Sequence, residues 1–477
     1  MPKQLIFKIK ERLGDIIFQV EEKFPKRAYL SAHKSDIRRV VKVLFEDFGA
    51  RFLTATGIDN GKNFEILYHF SFDAFNNIIS VRTFIEKGLS FIDSLVGVVG
   101  PSLDWAEREL HELLGVDFSG HPDLKRLFSS DEQKGPSIFK LRLDGEDIIG
   151  ADIDIGYNHR GIESISEEKS YDQITYLAQR ICGNSSVSHA MAYANAVEDV
   201  LGIEPLERAI YIRTIMAEAE RANSHLLWLR LMMHLAGCEI ISAKVWLQRE
   251  GILDMFQSIT GSRGHFEMVK PGGVKQDIKE EDQEIISRCV LRLAAGINVL
   301  KKEILDSRLI HSRFKGIGIL KREDAVNYGA VGPVARASGV SMDTRKDNPY
   351  AAYNKIKWEM IVEDEGDVFA IVKVRFLEIL ESISIIQQCL KKMPRGLIDV
   401  KIKCVPQGEG IGLAEAPDGE SFHYVRSDGT NSPIRHKIRS ASYMNIPAVP
   451  AALAANSVSD AGIILASMDP CCSCAER

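Results

Sequence analysis

Two stretches of this chain decide how the rest is read: Asp469-Pro-Cys-Cys-Ser-Cys-Ala-Glu-Arg477 and Arg180-Ile-Cys-Gly-Asn-Ser-Ser-Val-Ser-His189. In the first, Cys471 and Cys474 form a Cys-x-x-Cys pair, a spacing that lets two thiolates converge on one soft metal such as zinc, nickel or iron. A surface pair or a zinc knuckle has the same spacing, so the context must choose. Asp469-Pro470 sets a rigid turn ahead of the thiols, and the apolar run Ile463-Ile-Leu-Ala-Ser-Met468 before it would bury this end of the chain. A buried thiolate pair wants a cation and cannot close a site alone. Cys472 reads as a flanking residue that points elsewhere. Far upstream, Cys182 is the one other cysteine set among polar and small residues, namely Arg180, Gly183, Asn184, Ser185, Ser186 and Ser188, with His189 following. A lone buried cysteine is usually a small hydrophobe. Only the fold can bring the two stretches together.

At 477 residues the chain suits about two or three domains and a large core. Its 60 basic and 66 acidic residues leave a net charge of −6, without the basic stripe that tracks a phosphate backbone, which speaks against nucleic acid as a partner. Eight cysteines are ordinary usage for this length, and Cys238, Cys289, Cys389 and Cys404 lie singly. With no signal peptide in view, a reducing cytosol is expected. No window reaches about 18 uninterrupted apolar residues, so no membrane span is expected, although docking on a membrane protein is open.

Taken in order, residues 1–128 read as a mixed α/β unit. Helical patterning over Asp36 to Phe48 precedes two strand-like runs, Glu65–Phe72 and Ile78–Phe84, with Asp73-Ala-Phe-Asn-Asn77 as the turn. A helix follows from Leu103 and stops at Gly115. The polar, Gly/Pro-marked stretch 129–136 is the expected linker. A second hairpin pairs Phe139–Leu143 with Ile148–Ile155 around Asp144-Gly145. From Tyr171 the chain turns helical. Pro205 to Ala236 is a helix of about nine turns, ended by Gly237, and finds neighbours in Glu280–Asp306 and Gly366–Lys392. The expected class is α+β: an N-terminal α/β domain (1–128), then a mainly helical bundle with small β additions (137–477). Within the long helix, Arg213, Glu218, Glu220 and Arg221 read as a solvated face with intrahelical pairs.

The two cysteine stretches resemble the metal-binding signatures of the [NiFe]-hydrogenase large subunit, Arg-x-Cys-Gly-x-Cys-x-x-x-His and Asp-Pro-Cys-x-x-Cys-x-x-His/Arg. Asp154-Ile-Gly-Tyr-Asn-His-Arg-Gly-Ile-Glu163, Ser262-Arg-Gly-His265, Lys270-Pro-Gly-Gly-Val274, Ala335 to Tyr350 and His423-Tyr-Val-Arg-Ser-Asp-Gly-Thr-Asn431 look like the membrane-bound, energy-converting hydrogenases and their relative, the 49-kilodalton-type subunit of complex I. The segment around Asp104-Trp-Ala-Glu-Arg-Glu109 and Gly120-His-Pro-Asp-Leu124 is similar to the end of the 30-kilodalton-type subunit of complex I. The resemblance covers nearly the whole chain.

It implies a large subunit coupling electron transfer, with proton reduction to H2 or a related reduction, to ion translocation. Nickel would be held by Cys182, Cys471 and Cys474, the last also bridging to iron. Iron–sulfur clusters would lie in a partner small subunit, and antiporter-like membrane subunits would complete the assembly, peripheral on the cytoplasmic face of the membrane. His159, Arg160 and Glu163 on one turn, together with His189, are candidates for proton handling and catalysis. Arg180, Ser185 and Asp418 are candidates for holding the cofactor. A chain ending at Arg477 is what a mature or extension-free form would look like.

Three departures bear on the chemistry. Ser185 stands where the family has its second early cysteine, and a hydroxyl is neither soft nor ionised near neutral pH. Asp418 stands where the family's Glu-Ala-Pro-Arg-Gly-Glu has arginine. The glutamate expected as a proton relay before Pro136 is replaced by Gly135. Two alternatives therefore stand beside the hydrogenase reading: a quinone or sulfur reductase subunit using the same cavity, and a structural coupling module with a decayed metal site.

Overall fold

The computed structural model describes residues 2–23, 26–128 and 137–477; the expected linker 129–136, Gly135 included, lies outside the described residues. The class is α+β, as expected. A five-stranded sheet has the order Ile17–Lys23, Arg27–Ala32, Asn77–Glu86, Asn63–Phe72, Arg51–Asp59. The hairpin legible from alternation forms its middle, with Phe72 opposite Asn77. Because side chains alternate across a strand, its two faces have different partners. Leu30, Ile66, Tyr68 and Ile79 pack with Ile37, Val40, Val41 and Leu44, on the helical segment that runs from Ile37 through Asp47. Tyr29, Leu53, Leu67 and Ile78 pack instead on Ile411, Leu413, Phe422 and Tyr424 of a second sheet. The helix Asp104–Leu114 ends at Gly115, whose φ of 69° is the left-handed conformation that glycine adopts without a Cβ penalty.

That second sheet has three strands, Gln407–Ala416, Gly419–Asp428 and Arg435–Arg439. The expected hairpin forms from Ile138–Asp144 and Asp147–Asp154. The bundle is built on Glu207–Leu235, a helix of 29 residues and roughly 44 Å, packed by Glu239–Thr260, Glu280–Leu305 and Val368–Lys392.

The expectation of a solvated face on the long helix is corrected. Arg213, Glu218, Glu220 and Arg221 are all buried, because neighbouring helices and the second sheet enclose the middle of the helix, 211–226. Charges removed from water need partners, and each has them. Arg213 pairs with Glu198 at 2.6 Å, Glu218 takes Arg345 at 3.1 Å and the Tyr353 hydroxyl at 2.6 Å, and Arg221 donates to the Glu415 carbonyl at 2.7 Å.

Candidate metal centre

The two cysteine stretches meet. The sulfurs of Cys182, Cys471 and Cys474 all lie within 4.8 Å of one another, with Cys182 Sγ 4.0 Å from Cys471 Sγ and Cys474 Sγ 2.8 Å from Cys471 Sγ. Two thiolates about 2.3 Å from one tetrahedral ion would stand about 3.8 Å apart, so the first edge already has that size and the second is shorter. Cys182 and Cys474 are buried and Cys471 partly so. Cys472 is also buried but stands outside the sulfur group, as expected. Hydrogen bonds from Cys471 and Cys474 hold the Cys182 thiol well below its ordinary range, and donating to Cys182 pushes the other two up. Three sulfurs gathered in a desolvated pocket are an arrangement suited to a soft cation.

Each stretch is held by residues from elsewhere. Cys182 sits in the loop between the helices Tyr171–Gln179 and Ser186–Leu201. Four donors in the first turn of the second helix, the Val187 and Ser188 amides and the Ser186 and Ser188 hydroxyls, converge on the buried Glu220 carboxylate at 2.7–3.1 Å. Burial pushes Glu220 up to about 7 against those bonds. On the other stretch, Asp469 has a φ of 53°, a left-handed conformation that costs a residue with a Cβ roughly 1 kcal/mol or more. The buried Arg375 holds it there, donating to Asp469 Oδ2 at 2.8 Å while its guanidinium lies 4.5 Å over the Trp228 ring.

Among the candidate residues, Arg160 ties the two stretches together. Its guanidinium donates to the carbonyls of Arg180, at 2.8 Å, Ile181, at 3.0 Å, and Ser473, at 2.7 Å. His159 donates from Nδ1 to the Glu476 carbonyl and stacks on Phe128. Burial pushes the Glu163 carboxyl upward, but Lys437, Arg435 and Arg477 outweigh it and hold it well below the carboxylate range. It is a hub of ion pairs, to Arg477 at 2.8 Å and Arg435 at 2.6 Å. The Arg180 side chain turns away from the sulfurs to meet Glu267 at 3.0 Å on the surface. Buried His189 lies in the first turns of the helix that follows Cys182, outside the group of sulfur ligands.

Ser185 and Asp418 meet each other. Ser185 Oγ donates to Asp418 Oδ1 at 3.3 Å, Ser442 Oγ donates to Oδ2 at 3.2 Å, and the Cys471 amide donates to Ser442 Oγ at 3.2 Å. Burial, then the charges of Cys182 and Asp469, push Asp418 up to about 7. This carboxyl is therefore partly protonated near neutral pH and not a fixed anion. Sequence reasoning missed Glu220, Arg375 and Ser442. Each acts over a long sequence separation, and no local spacing marks it.

The comparisons with known proteins fit this layout. The family described as "Respiratory-chain NADH dehydrogenase, 49 Kd subunit" matches residues 240–405 and 401–477, its 30 Kd counterpart matches 30–144, and "Nickel-dependent hydrogenase" matches 160–291. The membrane-bound hydrogenase subunit alpha of Pyrococcus furiosus is 36% identical over 359 residues, covering 72% of this chain and 84% of that protein. Formate hydrogenlyase subunit 5 of Escherichia coli is 35% identical, covering 73% of this chain and 61% of its own length. A subunit of the NADH-quinone oxidoreductase of Chloroherpeton thalassium is 34% identical, over 69% of this chain and 81% of its own. The chain therefore belongs to the large-subunit family shared by membrane-bound nickel hydrogenases and the 49-kilodalton subunit of complex I, and it carries a 30-kilodalton-type segment ahead of that unit.

Proposed function

We propose that this chain is the large subunit of a membrane-associated oxidoreductase of the hydrogenase and complex I type, in which Cys182, Cys471 and Cys474 hold one soft divalent metal, nickel in the first instance. The observation that carries the reading is the convergence within 4.8 Å of three thiols drawn from opposite ends of the large domain, with no disulfide among them. On this reading residues 1–128 are the 30-kilodalton-type domain, 129–136 the linker and 137–477 the catalytic domain. The site supplies thiolates for one metal better than for a pair. The hydroxyl of Ser185, which stands at the second bridging position, is committed to Asp418. When bound, nickel supplies the redox chemistry of proton reduction. The chain's own groups do the rest: Arg160 keeps the two loops together, Glu220 fixes the helix behind Cys182, and Asp418, pushed up to about 7, exchanges a proton at a carboxyl oxygen near neutral pH.

Electrons would come from iron–sulfur clusters in a small partner subunit, since the described residues gather no further cysteine group. Membrane subunits of the antiporter type would use the step to move ions, with this chain peripheral on the cytoplasmic face. No helix among the described residues is long and apolar enough to cross a membrane. The Ser185–Asp418 pair also favours a second reading, a relative that reduces a quinone or sulfur compound, or a coupling module, without forming H2. Metal analysis with infrared spectroscopy of the purified complex separates them. The expected result is bound nickel, or zinc in its place, substoichiometric iron at this site and weak or absent H2 turnover. Stoichiometric nickel and iron with carbonyl and cyanide bands would overturn the one-metal reading, and a metal-free complex would leave the coupling module.

A further inference from the structure

His189 begins a line of hydrogen bonds that runs through His423, the first residue of one of the resembling blocks, to His436 and Ser166, which no motif singled out. His189 Nδ1 lies 3.1 Å from His423 Nε2, His423 Nδ1 lies 2.9 Å from His436 Nε2, and His436 Nδ1 lies 2.9 Å from Ser166 Oγ. The line ends where Ser166 Oγ stands 2.7 Å from the carbonyl oxygen of Glu163. All four side chains are buried. Each nitrogen in the line faces one partner, and His189 Nε2 makes no hydrogen bond among the described residues.

The end of the line sets the direction of every bond in it. A carbonyl oxygen has no proton to give, so the contact with Glu163 takes the single hydroxyl proton of Ser166. Ser166 can then only accept from His436, whose proton must sit on Nδ1. A neutral imidazole carries one N–H, so His436 Nε2 is bare and accepts from His423 Nδ1–H. By the same step, His423 Nε2 is bare and accepts from His189 Nδ1–H. What remains is His189 Nε2, a lone pair on the edge of the ring away from His423. Burial keeps the imidazoles neutral: His189 is pushed down to about 4 and His436 to about 3, and His423 lies well below its ordinary value. The neighbouring charges do not reverse this. His189 faces the Cys182 charge against Arg477 and Arg160, and His436 faces Glu163 against Arg435.

We propose that Ser166, His436 and His423 are positioning residues that lock His189 as its Nδ1–H tautomer, so that an unprotonated Nε2 is held available on the helix that follows the Cys182 loop. The tautomer lock stands on the hydrogen-bond geometry and on the burial of the three rings; its use in the reaction rests on the function proposed above. The lock acts over three rings, and so one distant hydroxyl controls it. Without that hydroxyl, His436 Nδ1–H would be a buried donor with no acceptor. Reversing the line would leave one unpaired N–H as well, on His189 Nε2, so without the hydroxyl neither direction is favoured and the ring protons are no longer confined to Nδ1.

The test is a long-range proton–nitrogen correlation spectrum of the metal-free full chain labelled with nitrogen-15 at histidine, which reads the tautomer of each ring directly. The expected result is Nδ1–H at His189, His423 and His436 in the unmodified chain. Ser166→Ala should bring in an Nε2–H signature at His189 beside the Nδ1–H one, and Ser166→Thr, which keeps a hydroxyl, should retain the original signature. An Nε2–H or imidazolium signature for His189 in the unmodified chain overturns the proposal. So does a Ser166→Ala chain with His189 unchanged. If the proposed function fails instead, metal will be absent while the Nδ1–H pattern persists, so the two failures are distinguishable.

Discussion

At the scale of single residues, Ser185 and Asp418 explain each other. A serine alone would leave an unpaired hydroxyl beside a buried carboxyl, and each satisfies the other at 3.3 Å. Restoring one family residue without the other should therefore fall short: Ser185→Cys removes a hydrogen bond from a buried acid, and Asp418→Arg places a cation where Ser185 and Ser442 still offer hydroxyls. The double change Ser185→Cys with Asp418→Arg should raise the iron content of the purified complex, and each single change should raise it less than half as far. Metal analysis of the four proteins checks this, and equal iron in all four would mean that other residues set the limit. Of this site, the terminal thiol pair was legible from its Cys-x-x-Cys spacing after Asp-Pro, whereas its pairing with the distant Cys182 stretch came from the family resemblance and from no local spacing. The supporting residues were not. Glu220 carries the same charge pattern on its helix as a solvated residue would, and only burial reveals it as the cap of Ser186–Leu201. Arg375, His423 and His436 act through contacts across the fold, which no spacing announces.

At the scale of elements, the helix behind Cys182 is set by the strand beneath it. Ser186–Leu201 lies directly on Gln407–Ala416, and the approach is so close that a Cβ on Gly412 would stand 1.9 Å from the Ala192 carbonyl oxygen, and one on Gly410 2.1 Å from that of Ala196. The same glycines explain why this strand is not legible in the sequence. Glycine is depleted in strands and breaks the alternating pattern, so Gln407-Gly-Glu-Gly-Ile-Gly-Leu413 gives little strand signal. The helix Glu239–Thr260 is likewise hard to single out among the neighbours of the long helix, with Gly251 in its interior. The long helix and its partners at Glu280–Leu305 and Val368–Lys392 were legible from period, length and terminal Gly or Pro. Gly412→Ala must push helix and strand apart, at a cost of about 1–3 kcal/mol by the usual measure of overpacking. The displaced helix carries the Cys182 loop with it. The expected outcome is a lower melting temperature together with weaker nickel retention on dialysis, whereas Gly462→Ala, where an added Cβ meets nothing, should change neither. Full nickel retention in a destabilised Gly412→Ala protein would detach the strand from the site.

At the scale of the whole molecule, two sheets packed face to face are stitched by charge. Arg51 reaches Glu420 at 3.0 Å, Arg426 reaches Glu65 at 2.7 Å and Arg82 reaches Glu409 at 2.7 Å, each pair crossing from the first unit to the second. Burial this extensive makes stability depend on pH in a definite way. Burial pushes Glu218 and Glu420 upward, but the arginines beside them, Arg221 and Arg345 for the first and Arg51 and Arg439 for the second, hold both at about 2 against an ordinary 4.5. Their contribution is present above pH 4.5 and is lost as pH falls toward 2. Burial holds His69 and His436 at about 3 and His189 at about 4 against an ordinary 6.5, so the unfolded chain takes up their protons first and their contribution also falls with pH below 6.5. Glu107, Glu220 and Asp418 act in the opposite sense. Pushed up to about 7, they keep protons in the fold that the unfolded chain releases, which favours the folded state as pH drops from 7 toward their ordinary values of 4.5, 4.5 and 3.8. Between about pH 5 and 6.5 the two sets offset each other, while below about pH 3.8 the second set is protonated in both states and drops out. His189 is by then largely protonated in both states too, so Glu218, Glu420, His69 and His436 remain, all of one sign, and at about 1.4 kcal/mol per proton and pH unit they give a slope of up to about 5 kcal/mol per pH unit. Urea denaturation should therefore show a midpoint that is nearly flat from about pH 5 to 6.5 and collapses below about pH 4, with the collapse shallower in Glu420→Gln. A midpoint falling steadily from pH 6.5 downward would mean that the buried histidines dominate and that the raised acids, Glu220 behind the cysteine loop among them, do not hold their protons in the fold.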